Sequence, residues 1–178
     1  PKDHNARPGD MRFADLNNNG DIDNGGDTVD NPGDRKIIGN SEPRYMYTIS
    51  LNADWNGIFL SAMFDGVGKQ DWYPSAESTF WGQYNRPYNQ LPTWHIGNYW
   101  TEENRGAYLP RYTAYYPPFY KGLANTRYLQ DVSYIRLKNF QIGYNLPKKW
   151  ISKLGLSKVS VYFSGENLCY WSPLKKIT

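Results

Sequence analysis

Polar and apolar residues alternate strictly along only part of this chain. From Tyr45, the apolar residues Tyr45, Tyr47, Ile49, Leu51 and Ala53 fall on every second position. Thr48, Ser50, Asn52 and Asp54 lie between them, with Met46 the exception, and this is the period of a strand with two unlike faces. Asp54-Trp55-Asn56-Gly57 follows, where Asn-Gly suits turn positions of positive φ. Ile58, Leu60, Ala62 and Phe64 then oppose Phe59, Ser61, Met63 and Asp65, so residues 43–67 are expected to form a β-hairpin. A third strand over 132–146 has two phases, with Ile135 and Leu137 on one parity and Phe140, Ile142, Tyr144 and Leu146 on the other. A β-bulge near Lys138-Asn139 reconciles them. Pro147 stops this strand, and 148–156 has room for one or two helical turns. A fourth strand sets Val159, Val161 and Phe163 against Lys158, Ser160, Tyr162 and Ser164, so 131–172 reads as a second hairpin.

The remaining segments have no such period. Residues 1–42 are polar and rich in turn formers, with eight Asp among the first 34 positions, and read as a loop or arm. Residues 68–130 form a connection too long for an ordinary linker. Disorder does not suit it, because 16 of the chain's aromatics lie within 70–128 and disordered segments are aromatic-poor.

Composition narrows the class. Seven Trp, 16 Tyr and 7 Phe in 178 residues, with 16 Gly and 12 Pro, oppose a helical bundle and favour strands joined by structured loops. A net charge of +3 gives no nucleic-acid-binding excess. A single cysteine, Cys169, excludes an internal disulfide and a CxxC zinc site, and is expected to be a small packing residue. No apolar run is long enough for a membrane-spanning helix, but a β-barrel hides from hydropathy averages. The opening Pro1-Lys2-Asp3 suggests a piece of something larger. Enzyme signatures are missing: His4 and His95 belong to no HExxH or GxSxG pattern, and adjacent Glu102 and Glu103 read as a solvated loop.

Short and long connections alternate along the chain. Outer-membrane barrels share that asymmetry, with short periplasmic turns, long extracellular loops, and strands that are apolar outward and polar inward. A sandwich with one wet face carries the same alternation, and composition alone favours it.

Specific strings separate the two. Asp15-Leu16-Asn17-Asn18-Asn19-Gly20-Asp21-Ile22-Asp23 with Asp34-Arg35-Lys36-Ile37-Ile38-Gly39-Asn40-Ser41-Glu42-Pro43 resembles a segment of the SusC/RagA family of TonB-dependent transporters. Gly57-Ile58-Phe59-Leu60-Ser61-Ala62-Met63-Phe64-Asp65-Gly66-Val67-Gly68 is similar to the hairpin strand that follows there. Trp100-Thr101-Glu102-Glu103-Asn104 with Ala107 and Leu109-Pro110-Arg111, the run Ser133–Pro147, and Val161–Leu168 resemble later blocks in the same order. The resemblance implies an all-β fold, part of a 22-stranded antiparallel transmembrane β-barrel with long extracellular loops, and no enzyme activity. Residues 1–178 would then be the C-terminal portion of that barrel: 1–42 an extracellular Asp/Asn-rich loop, 43–67 a hairpin, 68–130 a long extracellular aromatic loop, 131–172 a hairpin. It implies import of an oligosaccharide or peptide across the bacterial outer membrane. The implied partners are a SusD-like lipoprotein, outer-membrane lipid and the TonB complex, the last through an N-terminal part that is missing here. Four strands with open edges are not expected to fold or transport alone. The rival from another class is a secreted β-rich carbohydrate-binding module with a structural calcium loop.

Two candidate sites follow. Asp15, Asn17, Asn19, Asp21 and Asp23 open like an EF-hand-related D-x-N-x-N-G-x-x-D loop, where alternate Asx side chains and the Asp21 carbonyl converge oxygens on Ca2+. The twelfth position is Gly26, so Asp27 is the nearest acid for closure, with Asp34 further off. A metal-free Asx-stabilised turn is the even alternative. In the aromatic loop, Trp72, Trp81, Trp94 and Trp100 are candidates to stack on cargo, as are Tyr73 and the Tyr-rich run 112–120, against the alternative that they pack the loop's own core. For the strands, Tyr47, Ile49, Leu51, Ile58, Leu60, Ala62, Ile142, Tyr144, Val159 and Val161 are expected to face outward. Thr48, Ser50, Asn52, Ser61, Gln141, Ser160 and Tyr162 are expected to face inward.

Overall fold

A computed structural model of the chain describes residues 7–75, 78–84, 90–112 and 124–174. These divide into two compact units.

The sheet unit spans Asn40–Trp72 and Gln130–Lys175. Its frame is four antiparallel strands of 12 residues each: β1 (Arg44–Trp55), β2 (Ile58–Lys69), β7 (Tyr134–Asn145) and β8 (Ser160–Trp171), in the order β1-β2-β7-β8. Asn56 and Gly57 close β1 onto β2 with φ of 47° and 86°. Two successive positive φ values are what a two-residue hairpin turn requires, because its twist then matches that of the strands. A Cβ at position 57 would stand 2.9 Å from the Asn145 carbonyl, so the site demands glycine on both counts. Beyond β7, Lys148–Ile151 forms a single α-turn (α1), continued by a 3-10 turn at Ser152–Leu154. A two-residue ladder between β3 (Asp71–Trp72) and β6 (Gln130–Asp131) extends the β2 and β7 end of the sheet.

The bulge at Lys138 is present. Met63 pairs with Asn139 and Phe64 with Leu137, leaving Lys138 as the extra residue. The same point interrupts the β7–β8 register, where Leu137 faces Cys169 and Asn139 faces Glu166. Asn167, at φ 51°, absorbs the mismatch on β8. The fourth strand therefore runs on to Trp171, past the 159–164 alternation visible in the sequence.

The loop unit comprises residues up to 39 and 73–129. It holds 3-10 turns at Thr79–Tyr84 and Thr93–His95 and a short parallel pair, β4 (Tyr99–Trp100) with β5 (Leu109–Arg111). Regular structure is sparse, so packing carries the unit. Trp81, Tyr84, Leu109 and Tyr128 are buried together, with Met11, Tyr73, Phe80, Trp94, Tyr99 and Tyr108 against them. Phe80, Tyr108 and Trp81 meet neighbouring rings edge-on at 4.8–6.2 Å, the arrangement the ring quadrupole favours. The 7–13 segment is tied in by the Asp10–Arg111 ion pair and by Arg111 N–H donating to the Gly9 carbonyl.

Candidate functional site

Register sorts the sheet into two chemically distinct faces. Directly paired residues share a face, so Tyr47, Ile49, Leu51, Ala53 and Trp55 lie with Ile58, Leu60, Ala62, Phe64 and Gly66. Ile135, Leu137, Phe140, Ile142 and Tyr144 join them from β7, and Val161, Phe163, Gly165, Cys169 and Trp171 from β8. No residue in this set carries a charge. The other face bears Thr48, Ser50, Asn52, Ser61, Asp65, Arg136, Asn139, Gln141, Ser160, Ser164 and Glu166, with Phe59, Tyr162 and Tyr170 among them. The expected sorting of β1, β2, β7 and β8 residues into two faces is thus the one the ladder gives. Val159 immediately precedes β8, and its carbonyl accepts from Leu146 N–H.

The apolar face remains open. Ile49, Leu51, Val161 and Phe163 are 46%, 53%, 66% and 61% exposed, too much contiguous hydrocarbon for a sheet facing water. Its two ends differ from its middle. Tyr47, Gly66, Ile135 and Trp171 form one cross-strand row, and Trp55, Ile58, Tyr144 and Val161 form another. Amphipathic Tyr and Trp therefore stand at both ends of an aliphatic and Phe band, a pattern that pairing reveals and strand-by-strand reading misses. In the first row Gly66 leaves a gap that the Tyr47 ring fills, its hydroxyl donating to the Tyr134 carbonyl at 3.3 Å.

On the polar face, Asp65 and Arg136 are paired across β2 and β7 and joined by two bonds, Nε–Oδ1 at 3.0 Å and Nη2–Oδ2 at 2.8 Å. Arg136 also lies 5.8 Å from the Tyr134 ring centroid. The fork fixes both side chains on the polar wall.

The Asp15 loop closes on itself through Asx bonds. Gly20 N–H donates to Asp15 Oδ2 at 2.9 Å, Asn19 N–H to Asn17 Oδ1 at 2.9 Å, Asp21 N–H to Asn19 Oδ1 at 2.9 Å and Gly25 N–H to Asp23 Oδ1 at 2.6 Å. Asp34 closes the loop, its two oxygens accepting from Leu16 N–H at 2.6 Å and Asp23 N–H at 2.9 Å. These bonds hold its carboxyl below the usual carboxylate value. Asp27, expected among the ligands, points elsewhere: its carboxylate pairs with Arg35, because the residues between 24 and 33 form a separate turn. Among the described residues, no group of three or more His, Cys, Asp or Glu side chains is gathered as for a metal ion. One atom is left over. Asp15 Oδ1 is sealed from solvent and has no partner.

The four tryptophans are not brought together as a stacking platform. Trp81 is 2% exposed, its indole N–H donating to the Ser75 carbonyl at 2.9 Å, and it belongs to the core. Trp94 is packed on Phe80 and His95. Trp100 lies under Gly9, where any Cβ would collide with its ring. Trp72, on β3 of the sheet unit, is exposed. Large aromatics in a loop with few aliphatics are needed to build its core, and this overrides their use as open faces. Tyr73 is likewise half-buried, its hydroxyl accepting from Asn125 at 2.7 Å and pushed up to about 12 by burial. Tyr112 donates to Gln83 at 2.7 Å, and the run 113–120 lies outside the described residues.

No family model matches the chain. Among curated proteins it is similar to TonB-dependent receptor P3 of Formosa agariphila, at 31% identity over 90% of this chain and 14% of the relative. It is also similar to TonB-dependent receptors P39 and P26 of the same organism, at 28% and 25% identity over 91% and 87% of the chain. These relatives are receptors rather than enzymes, and the chain spans about one-seventh of their length. Among solved structures, the RagAB peptide transporter matches 76% of this chain and 14% of its own, with TM-score 0.57 and 23% identity. Its importer in the closed-closed state matches 81% and 15%, with TM-score 0.57 and 22% identity. That likeness shows the fold: the four strands are part of such a barrel.

Proposed function

We propose, from the premise that this chain belongs to the TonB-dependent receptors, that it serves the import of an oligosaccharide or peptide across the bacterial outer membrane, as part of a full-length receptor energised by a TonB complex and working with a SusD-like surface lipoprotein. The apolar face, bounded at each end by a Tyr/Trp row, carries this reading. Tyr47 and Trp55 are eight residues apart, about 26 Å along a strand at ~3.3 Å per residue and so about 20 Å in height at a tilt of ~40°, which places both rows within the edges of an apolar band about 25 Å tall. Charge-free Tyr47–Trp171 and Trp55–Tyr144 rows would sit at the two interfaces, with the Asp65–Arg136 face toward the lumen. The two-residue turn at Asn56-Gly57 would be periplasmic and the 70–133 connection extracellular, where its aromatic unit meets cargo and the lipoprotein. A secreted binding module accounts for neither the bare apolar face nor the receptor relatives.

Replacing residues 75–125 by a short Gly/Ser linker in the full-length receptor tests this. Barrel insertion should persist while uptake and lipoprotein co-purification are lost. Normal uptake in that variant would refute the role given to the loop.

A second reading concerns metal. Asp15 Oδ1, buried without a donor, supports calcium on the Asp15, Asn17, Asn19, Asp21 and Asp23 oxygens, since a carboxylate oxygen kept from water favours a cation. Asp34, not Asp27, would be the acid that closes such a site. With few charged ligands the affinity should be weak, roughly 10⁻⁴–10⁻³ M. Calcium titration of the receptor and of Asp15→Asn by calorimetry decides, and equal heats from both would end the reading.

A further inference from the structure

His95 is fully buried. Its ring is clamped in one tautomer: Nε2–H donates to the Phe80 carbonyl at 2.8 Å, which leaves Nδ1 as a bare lone pair. Nδ1 is sealed from solvent and has no partner. The walls are aromatic, with Trp94 edge-on at 4.2 Å and Tyr84 at 5.7 Å between centroids. Tyr84, from the Thr79–Tyr84 turn, is the titratable neighbour in ring contact among the described residues, and its hydroxyl is committed to the Pro110 carbonyl at 2.8 Å. From the segment before His95 come Pro92, whose carbonyl accepts from His95 N–H at 2.9 Å, and the uncharged Trp94. Among the described residues, none of the groups in contact with the ring is a carboxylate that could receive a proton placed on Nδ1. The influences on its proton affinity are burial, which lowers it below the usual value of 6.5, and the Phe80 carbonyl, which raises it.

We propose that His95 is a proton-sensitive latch of the loop unit: neutral, it joins the Thr79–Tyr84 turn to the Thr93–His95 turn, and protonated, it cannot remain in that pocket. Protonation would place a donor without acceptor and a full charge among aromatic rings, so the pocket opens instead. The native state resists a proton that the opened state accepts. Stability is therefore complete above the opened-state value near 6.5, and falls with pH below it until the depressed native value is reached. Over that window the opening equilibrium rises up to about tenfold per pH unit. If the loop unit faces outside as proposed above, external acidity would loosen a cargo-contacting loop; that consequence rests on the functional reading, whereas the latch does not.

Amide hydrogen exchange of the full-length receptor, corrected for intrinsic rates, tests the latch between pH 7.5 and 5.0. Residues 79–84 and 93–98 should lose protection about tenfold per unit below 6.5, while β1, β2, β7 and β8 stay constant. His95→Gln keeps a donor for Phe80 but does not titrate, so its protection should be flat with pH. Protection that is flat in the natural protein, loss of the same size in His95→Gln, or equal loosening of the sheet would each overturn the proposal. If His95→Gln does not fold, the natural protein's pH series and the sheet control decide alone. Uptake that is pH-independent despite a working latch would count against the functional reading only.

Discussion

Leu51 is the position at which the membrane assignment is most exposed to refutation. It lies four residues from Tyr47 and four from Trp55, hence midway between the two aromatic rows. At ~3.3 Å per residue that is about 13 Å along the strand from either row, the deepest point of the apolar band. Its cross-strand row, Ala62, Phe140 and Gly165, offers no polar group to receive a charge. An arginine at the midplane of a barrel's lipid face costs about 2–4 kcal/mol, falling to about 0–1 near the interfaces. Leu51→Arg should therefore shift the folding equilibrium by a hundredfold or so at ~3 kcal/mol. Tyr47→Arg, at the edge of the band, should cost under about 1 kcal/mol in burial of charge. Asn52→Arg is the internal control: one residue away, it points to the opposite face beside Ser61. The assay is urea unfolding of the full-length receptor in phospholipid vesicles, with folded fraction read by heat-modifiable gel mobility. The expected order is Leu51→Arg far above Asn52→Arg and Tyr47→Arg. If Asn52→Arg costs as much as Leu51→Arg, the faces are reversed or the sheet is not in lipid.

Three further outcomes follow from single contacts. Gly57→Val should destabilise the hairpin by about 1–2 kcal/mol, since φ 86° disfavours any side chain and a Cβ meets the Asn145 carbonyl; an unchanged unfolding midpoint would show that the turn is not formed as described. Removing Asp65 and Arg136 singly and together should give a favourable coupling, kept modest because the fork is bidentate yet partly solvated, with side chains 18% and 35% exposed; additive costs in that double-mutant cycle would deny the pair any role. Asp34's carboxyl is held below its ordinary 3.8 chiefly by the backbone N–H groups of Asp23 and Leu16, so order in residues 15–34 should be complete above about pH 4 and fade as pH falls through the lower folded value. Asp34→Asn should show neither that order nor that acid response in the exchange of the Leu16 and Asp23 amides, and an unaltered profile would contradict it.

The sheet was legible in the sequence because a one-residue slip of any strand would exchange its two faces, so alternation encodes register as well as strand. Even the Lys138 bulge was visible, as a change of parity between Leu137 and Phe140. The end of β8 at Trp171 falls inside the expected 131–172 hairpin, although Asn167 at positive φ breaks the alternation where pairing nonetheless continues. What escaped were the Tyr/Trp rows, because they exist only across strands. The loop unit was far less legible. Its core joins Trp81 to Tyr128 and Tyr84 to the Pro110 carbonyl, contacts between residues 47 and 26 positions apart with no repeat to announce them. Trp81 looked like a ligand platform for the same reason that it is core: a large flat side chain in a segment poor in aliphatics. The closing acid of the Asp15 loop was misplaced because spacing suggests Asp27, whereas the 24–33 turn folds out and returns Asp34 to the Leu16 and Asp23 amides.

The two units owe their order to different solvents. In the sheet, β1 and β8 each carry an unpaired edge among the described strands. In hydrocarbon every unsatisfied backbone group costs several kcal/mol, so those edges require further strands. The chain's span of about one-seventh of its relatives is consistent with a barrel that supplies them. The apolar face gains nothing from water and is stabilised only once lipid covers it. The loop unit needs neither lipid nor a neighbouring strand, because Trp81, Tyr84, Leu109 and Tyr128 bury one another. Damage to one should therefore leave the other standing: Leu51→Arg should destabilise the inserted sheet without altering the chemistry of the loop, and loss of the His95 latch should alter the loop within an inserted barrel. The same defect from both changes would contradict this division, since the loop unit's core of Trp81, Tyr84, Leu109 and Tyr128 contains no residue of the sheet.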